Sequence, residues 1–338
     1  MSEHLQKILV IDFLALGDML FITPLIHTLG ENYPDVELIV SIPEQYTEIF
    51  RHNPFIDKVI PFDKYGEHKL LKGYTNYIRM LRKEKAELTI TLQDNPRLAL
   101  LAALSGASKR VGFARHWSRK LFYTHPVLPR DKQHRIDYYL DITDQLPEVN
   151  NIINEGLEIY IPQNIKNWAE EFLKENDLGK NKIIGFVVGA GWASKEWPES
   201  YFLRLGKLIL KQDIPLIIFG GKKERKKAER LSGQMGKQVI NVAGKTDIMQ
   251  LAALMSWCEL VVAGDTGPMH VAVAAGTRVV SLFGPTEPWR YRPYGNKHEV
   301  IYLNQECQPC HEKECKKEKN CLKELSVNRV FERIQRYI

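Results

Sequence analysis

The stretch ELVVAGDTGPMHVAVAAGTRVVSLFG, residues 259–284, runs from an unbroken apolar segment through a turn of small and polar residues into a helix-like segment and a second apolar run. Strand, turn, helix, strand is the βαβ unit of a parallel sheet. Its turn is GDTGPMH, 264–270. Asp265 follows the strand, Thr266 stands where a cap is expected, and Gly267 allows close backbone approach. Pro268 suits a first helical turn because it lacks an amide that would be unpaired there anyway. The remaining amides and the positive end of the helix form a ready anion site. The turn therefore either holds an anion or merely connects two elements, and neighbouring loops bear on which.

Similar apolar runs recur along the chain. In the first half they fall at 7–14, 36–42, 58–62, 88–92 and 110–113, and in the second at 182–189, 214–220, 238–244, 259–264 and 278–284. They are mostly continuous rather than alternating, as strands covered on both faces should be. Two such series predict two Rossmann-like α/β domains in tandem. We expect a first domain over 1–163, a second over 164–325, and a C-terminal amphipathic helix over 326–338 that packs back on the first domain. At 338 residues the chain is long enough for two cores. Its 44% hydrophobic and 26% charged residues exclude a disordered chain. No apolar run approaches the ~20 residues of a membrane span. With no basic, apolar and cleavage-site series at its start, the chain is expected to be cytoplasmic.

Ligands of open parallel sheets sit beyond the carboxyl ends of the strands, so the loops there are the ones to weigh. The first strand leads to Gly17 and Asp18. A carboxylate there either favours the helix dipole or takes a proton from a substrate hydroxyl as general base. The first strand of the second half leads to GAGWASK, where Gly191 and its small neighbours let backbone approach a ligand. Lys195 closes that loop, either as a diphosphate partner or as an ordinary exposed lysine. Glu224 follows Gly220 and Gly221, a position from which a carboxylate can accept ribose hydroxyls or simply open a charged helix. FGPTEPWRY, 283–291, lines the same sheet edge. Walker A and G-x-G-x-x-G patterns are absent, which weakens ATPase and dehydrogenase readings.

Charge is unevenly placed. Between Arg97 and Arg135 nine basic residues face one acid, Asp131, although the whole chain carries only +6. Such a stretch suits an anionic partner or a solvated face. Nucleic acid is not the expected partner, because no RNP strand, zinc-finger spacing or recognition helix accompanies the charge. Four of five cysteines lie in CQPCHEKECKKEKNC: Cys307, Cys310, Cys315 and Cys321. Two readings stay open for them, a structural zinc or iron site and free thiols. Cys258 sits in an apolar run and reads as core.

Together, ILVIDFLALGDMLFITPL, KRVGF, SKEWPESYF, VAGDTGPMHVAVAAGTRVVSLFGPTEP and CQPC resemble the family 9 glycosyltransferases, the ADP-heptose:lipopolysaccharide heptosyltransferases. The resemblance spans nearly the whole chain. It implies a GT-B fold, two Rossmann-like domains facing across a cleft, with acceptor bound by the first and ADP-heptose by the second. It implies Asp18 as catalytic base and Lys195 on the diphosphate, with Gly191, Glu224, Asp265, Thr266, Gly267 and His270 in donor binding. No cofactor is required for such transfer. The implied acceptor is the anionic inner core of lipopolysaccharide at the inner-membrane surface, which suits Arg110, Arg115, Arg119 and Lys120 and implies peripheral attachment to the cytoplasmic leaflet. Another nucleotide sugar or a protein acceptor is the alternative within the family, and a non-enzymatic sugar-binding protein the alternative outside it. The chain departs from the family pattern at Asp12, Phe13, Leu14 and Ala15, where a basic residue and small hydroxyl residues are usual.

Overall fold

The computed structural model describes residues 5–179, 182–317 and 320–338. The chain divides into two compact units between Tyr160 and Ile161, a few residues before the expected boundary. In the first unit the strands are β1 (Lys7–Ile11), β2 (Glu37–Pro43), β3 (Lys58–Phe62), β4 (Leu88–Thr91), β5 (Lys109–Phe113) and β6 (His125–Val127). In the second they are β7 (Ile184–Val187), β8 (Leu216–Phe219), β9 (Val239–Asn241), β10 (Leu260–Gly264), β11 (Arg278–Phe283) and β12 (Glu299–Tyr302).

Each unit holds one six-stranded sheet, ordered β3-β2-β1-β4-β5-β6 and β12-β11-β10-β7-β8-β9, and every pairing is parallel. Counted from each unit's own first strand, both follow the doubly wound 3-2-1-4-5-6 order. The direction in which strands are added to the sheet reverses between β1 and β4 in one unit and between β7 and β10 in the other. The central strands are buried almost throughout, as their unbroken apolar runs require. The ten expected strands form. The sixth strand of each unit was not expected, for a simple reason. β6 is the three-residue edge strand His-Pro-Val, and β12 is a half-buried edge strand, Glu-Val-Ile-Tyr, so neither carries a full apolar run.

The C-terminal helix, Val327–Ile334, corrects another expectation. Val327, Val330 and Ile334 belong to the core of the second unit, packed with the helix Glu199–Leu210 and strand β11. The indole Nε1 of Trp197 donates to the Leu325 carbonyl at 3.0 Å, and the Tyr201 hydroxyl to that of Lys323. Amphipathic spacing had identified a helix with one apolar face. Which face would receive it depended on tertiary contacts.

Gly112 in β5 is a point of close packing in the first unit. A Cβ there would lie 2.4 Å from the Tyr123 ring and 2.5 Å from Thr91 Oγ1, while the two hydroxyls of Thr91 and Tyr123 are hydrogen-bonded at 2.6 Å. Gly112→Ala should destabilise the protein by about 1–3 kcal/mol through overpacking. Denaturant titration checks this, and an unchanged midpoint would refute it.

Candidate functional site

Each unit presents a polar cluster at the carboxyl end of its sheet, beside the point where strand order reverses. In the second unit the cluster joins loops after β7, β10 and β11. Lys195 Nζ donates to Asp265 Oδ2 at 2.6 Å, and Thr286 Oγ1 donates to the same oxygen at 2.6 Å. Lys195 is 16% exposed and Asp265 7%, so the pair is largely withdrawn from water. The ammonium also lies 4.6 Å from the Trp192 ring centre, a cation–π contact that restricts it further.

Glycine permits this convergence. A Cβ on Gly264 would stand 2.9 Å from the Lys195 carbonyl oxygen, and one on Gly284 would stand 3.2 Å from that of Ser194. The first glycine of GDTG therefore lets the Lys195 loop lie against the end of β10. Gly189 does the same for Glu224, whose Cγ lies 2.3 Å from where a Cβ would be. Glu224 Oε2 accepts the Gly221 amide at 2.9 Å, which turns its side chain back toward the β7 loop. Gly191 has open space where a side chain would stand.

The turn ends in the helix Gly267–Ala274, with Pro in its first turn. Thr266 is the N-cap residue, but its side chain accepts no capping bond, contrary to expectation, and its buried hydroxyl has no partner among the described residues. The Met269 amide donates to the Thr266 carbonyl. Pro268 has no amide to offer. That leaves the Thr266 and Gly267 amides at the helix start, fewer donors than the sequence suggested. His270 is buried, 3% exposed, one turn into the helix.

In the first unit Asp18 lies in the first turn of the helix Leu16–Phe21 and is about one quarter exposed. Arg135 Nε stands 3.6 Å from Asp18 Oδ1. Tyr139 receives a hydrogen bond from Arg135 at 2.5 Å and in turn reaches Asp18 Oδ1 at 3.5 Å. Arg135 and Tyr139 were not anticipated. They are four residues apart on the helix Arg135–Leu140, a spacing that puts both on one face, and this was the available signal. The guanidinium also covers the Tyr138 and Tyr139 rings at 4.4 and 4.6 Å.

Asp12, the departure at the end of β1, is fully buried. Oδ1 accepts from Gln93 Nε2 at 2.5 Å and from the Phe13 amide at 2.7 Å, while Oδ2 has no partner among the described residues. Loss of hydration pushes its carboxyl up to about 7, and the Asp18 carboxylate adds to that rise against the lowering effect of Gln93.

The basic stretch is less available than its composition suggests. Arg110, near the amino end of β5, donates to the carbonyls of Phe122 and Ala107 and so serves the fold. Arg119 is paired with Asp94 at 2.5 Å, and half-exposed Arg115 with Asp131 at 2.9 Å. Lys120 is exposed.

The cysteines are not assembled as ligands. Among the described residues no group of three or more His, Cys, Asp or Glu side chains could hold a metal ion, and all four thiols are free. Their segment is instead fastened through its backbone. The Cys310 amide donates to the Pro285 carbonyl at 3.0 Å, and Ser194 donates through its amide to Lys313 and through its hydroxyl to the Glu312 carbonyl. This braces the loops carrying Lys195 and Thr286. Cys258 is core, with its thiol pushed upward by burial.

Comparison with known proteins gives this arrangement a family. The model of glycosyltransferase family 9 (heptosyltransferase) matches residues 74–321. The chain belongs to glycosyltransferase family 9. This family 9 chain is 26% identical over 330 residues to lipooligosaccharide heptosyltransferase 2 of Campylobacter jejuni, covering 95% of its own length and 96% of the relative's. A family 9 glycosyl transferase of Veillonella parvula superposes with a TM-score of 0.91 at 27% identity, over 100% of this chain and 98% of that one. An ADP-heptose lipopolysaccharide heptosyltransferase II of Escherichia coli shares the fold, with a TM-score of 0.79 at 22% identity over 98% of both chains. The two doubly wound parallel sheets are those of a GT-B glycosyltransferase.

Asp12 yields a pH prediction for the family 9 chain. Its carboxyl has an ordinary value of 3.8 and a folded value of about 7, so between those values the folded state holds a proton that the unfolded state has lost. Stability should therefore fall as pH rises through that window and level off above it, by on the order of 4 kcal/mol for about three units. Asp12→Asn should remove this slope, so denaturant midpoints at pH 5 and pH 8 should converge relative to wild type. Retention of the wild-type slope would refute the assignment.

Proposed function

We propose that this chain is an inverting glycosyltransferase that moves heptose from ADP-heptose to the anionic inner core of lipopolysaccharide, as a peripheral protein of the cytoplasmic face of the inner membrane. The observation that carries the reading is the Lys195–Asp265–Thr286 constellation beside the open helix start at Gly267, in a chain of family 9. The name of the Campylobacter relative supports heptose as the sugar. Among the described residues no helix is long and apolar enough to cross a membrane.

The first unit supplies the base. Asp18 removes the proton from an acceptor hydroxyl, and the oxygen attacks the anomeric carbon from the face opposite ADP. Arg135 and Tyr139 hold the carboxylate in orientation. The second unit receives the leaving group. As the anomeric bond breaks, negative charge grows on the diphosphate, and Lys195 with the Thr266 and Gly267 amides stabilises it more in the transition state than in the ground state. Asp265 and Thr286 position the ammonium. These groups provide positive charge without a metal. Gly191 leaves room for the donor, and Glu224 is assigned to the nucleotide. Of the four basic residues assigned to the acceptor, Lys120 and Arg115 are the exposed ones.

Asp18→Asn should lower turnover by about 10²- to 10⁴-fold, the usual contribution of a general base, with ADP affinity near wild type. Equal turnover of mutant and wild type would remove Asp18 from the chemistry. Lys195→Ala should weaken ADP binding and turnover together. Incubation with ADP-heptose and delipidated core acceptor, read by product mass, tests the reaction itself; absence of a heptosylated product would overturn it.

A further inference from the structure

The segment that follows β3, KYGEHKLLK at 64–72, combines a fixed backbone with apolar side chains turned to solvent. The Asp63 carboxylate accepts the amides of Tyr65, Gly66 and Glu67 at 2.8 to 3.1 Å. The Asp63 amide donates to His68 Nδ1 at 2.9 Å, and the His68 ring stacks on Phe62 with 5.4 Å between centres. A Cβ on Gly73 would stand 1.8 Å from the Glu67 carbonyl oxygen, so the loop is closed tightly on the helix Leu71–Lys83. Yet Tyr65, Leu70 and Leu71 are 78%, 72% and 80% exposed.

Its charge narrows the partner. Lys64, Lys69 and Lys72 are interleaved with these apolar residues against one acid, Glu67, and all three lysines are exposed. A pocket of about 450 Å³ beside the loop is lined in part by Lys64, Lys69 and Arg97. Adjacent exposed leucines at the start of the helix Leu71–Lys83, a tyrosine and surrounding lysines match the interface of an anionic bilayer. There leucines enter the acyl boundary, tyrosine sits at head-group depth and lysines reach phosphates. Protein interfaces, by contrast, are depleted in lysine at their cores.

We propose that residues 64–72 form a membrane-docking surface that inserts Leu70 and Leu71 into an anionic lipid leaflet, with lysines and the adjoining cationic pocket on its phosphates. This deepens the reading above, under which the acceptor is membrane-borne.

The test is flotation of the full chain with vesicles of phosphatidylcholine alone or with added phosphatidylglycerol, at low and high salt. Wild type should float with the anionic vesicles at low salt and be released at high salt. Replacing Leu70 and Leu71 by Ser should lower the partition about tenfold for each leucine, and Lys69→Ala or Lys72→Ala about fivefold each. The circular dichroism spectrum and denaturant midpoint of each variant report that it has folded, and Tyr65→Ser serves as a milder variant if the double replacement does not fold. Failure of wild type to float with anionic vesicles, or flotation of folded variants equal to wild type, overturns the proposal. So would capture only by a protein partner. Vesicle binding needs no sugar transfer. A chain that floats but transfers no heptose refutes the reaction and leaves docking standing, whereas one that heptosylates a delipidated acceptor without floating refutes docking alone.

Discussion

Each unit buries a carboxylate where its parallel sheet reverses its winding. At that point the loops after two neighbouring strands diverge, leaving a gap that a side chain can bridge. In the second unit Asp265, after β10, is bridged by Lys195 from the β7 loop and by Thr286 from the β11 loop. In the first, Asp12, after β1, is bridged by Gln93 from the β4 loop. The same topology thus builds two different electrostatic environments. Asp265 has a cation and a hydroxyl on one oxygen. Asp12 has only neutral donors on one oxygen and an unpartnered second oxygen, so its carboxyl is raised toward neutrality.

Close backbone approach makes the second environment. Gly264 and Gly284 admit the Lys195 loop between the ends of β10 and β11, and Gly189 admits Glu224. The cysteine-bearing segment then secures those loops with main-chain bonds to Ser194 and Pro285, and the C-terminal helix covers the helix that begins after Trp197. A distant part of the chain therefore fixes the position of a lysine that contacts none of it in sequence.

In the first unit, formal charge and available charge differ. The nine basic residues between Arg97 and Arg135 include Arg110, bound to two carbonyls, Arg119, paired with Asp94, and Arg135, turned toward Asp18. A desolvated guanidinium with several donors readily satisfies carbonyl and carboxylate acceptors inside a fold, which is why counting arginines overstates the surface they present.

The sequence by itself determined the parallel α/β architecture, its two units and the loops worth examining, because buried parallel strands must be continuously apolar and sharp turns into helices need glycine and proline. The loops that carry Asp18, Lys195, Glu224 and Asp265 were legible on that ground. Only the tertiary structure decided what each would touch. Thr286 meets Asp265, and Arg135 with Tyr139 meets Asp18, across separations of 21 residues in the first case and more than 100 in the second. It also decided that the C-terminal helix joins the second core, and that the thiols stay apart while their backbone braces a loop. Local pattern sets which elements form, but partners are chosen by the packing of residues distant in the chain, and no short-range period encodes that choice.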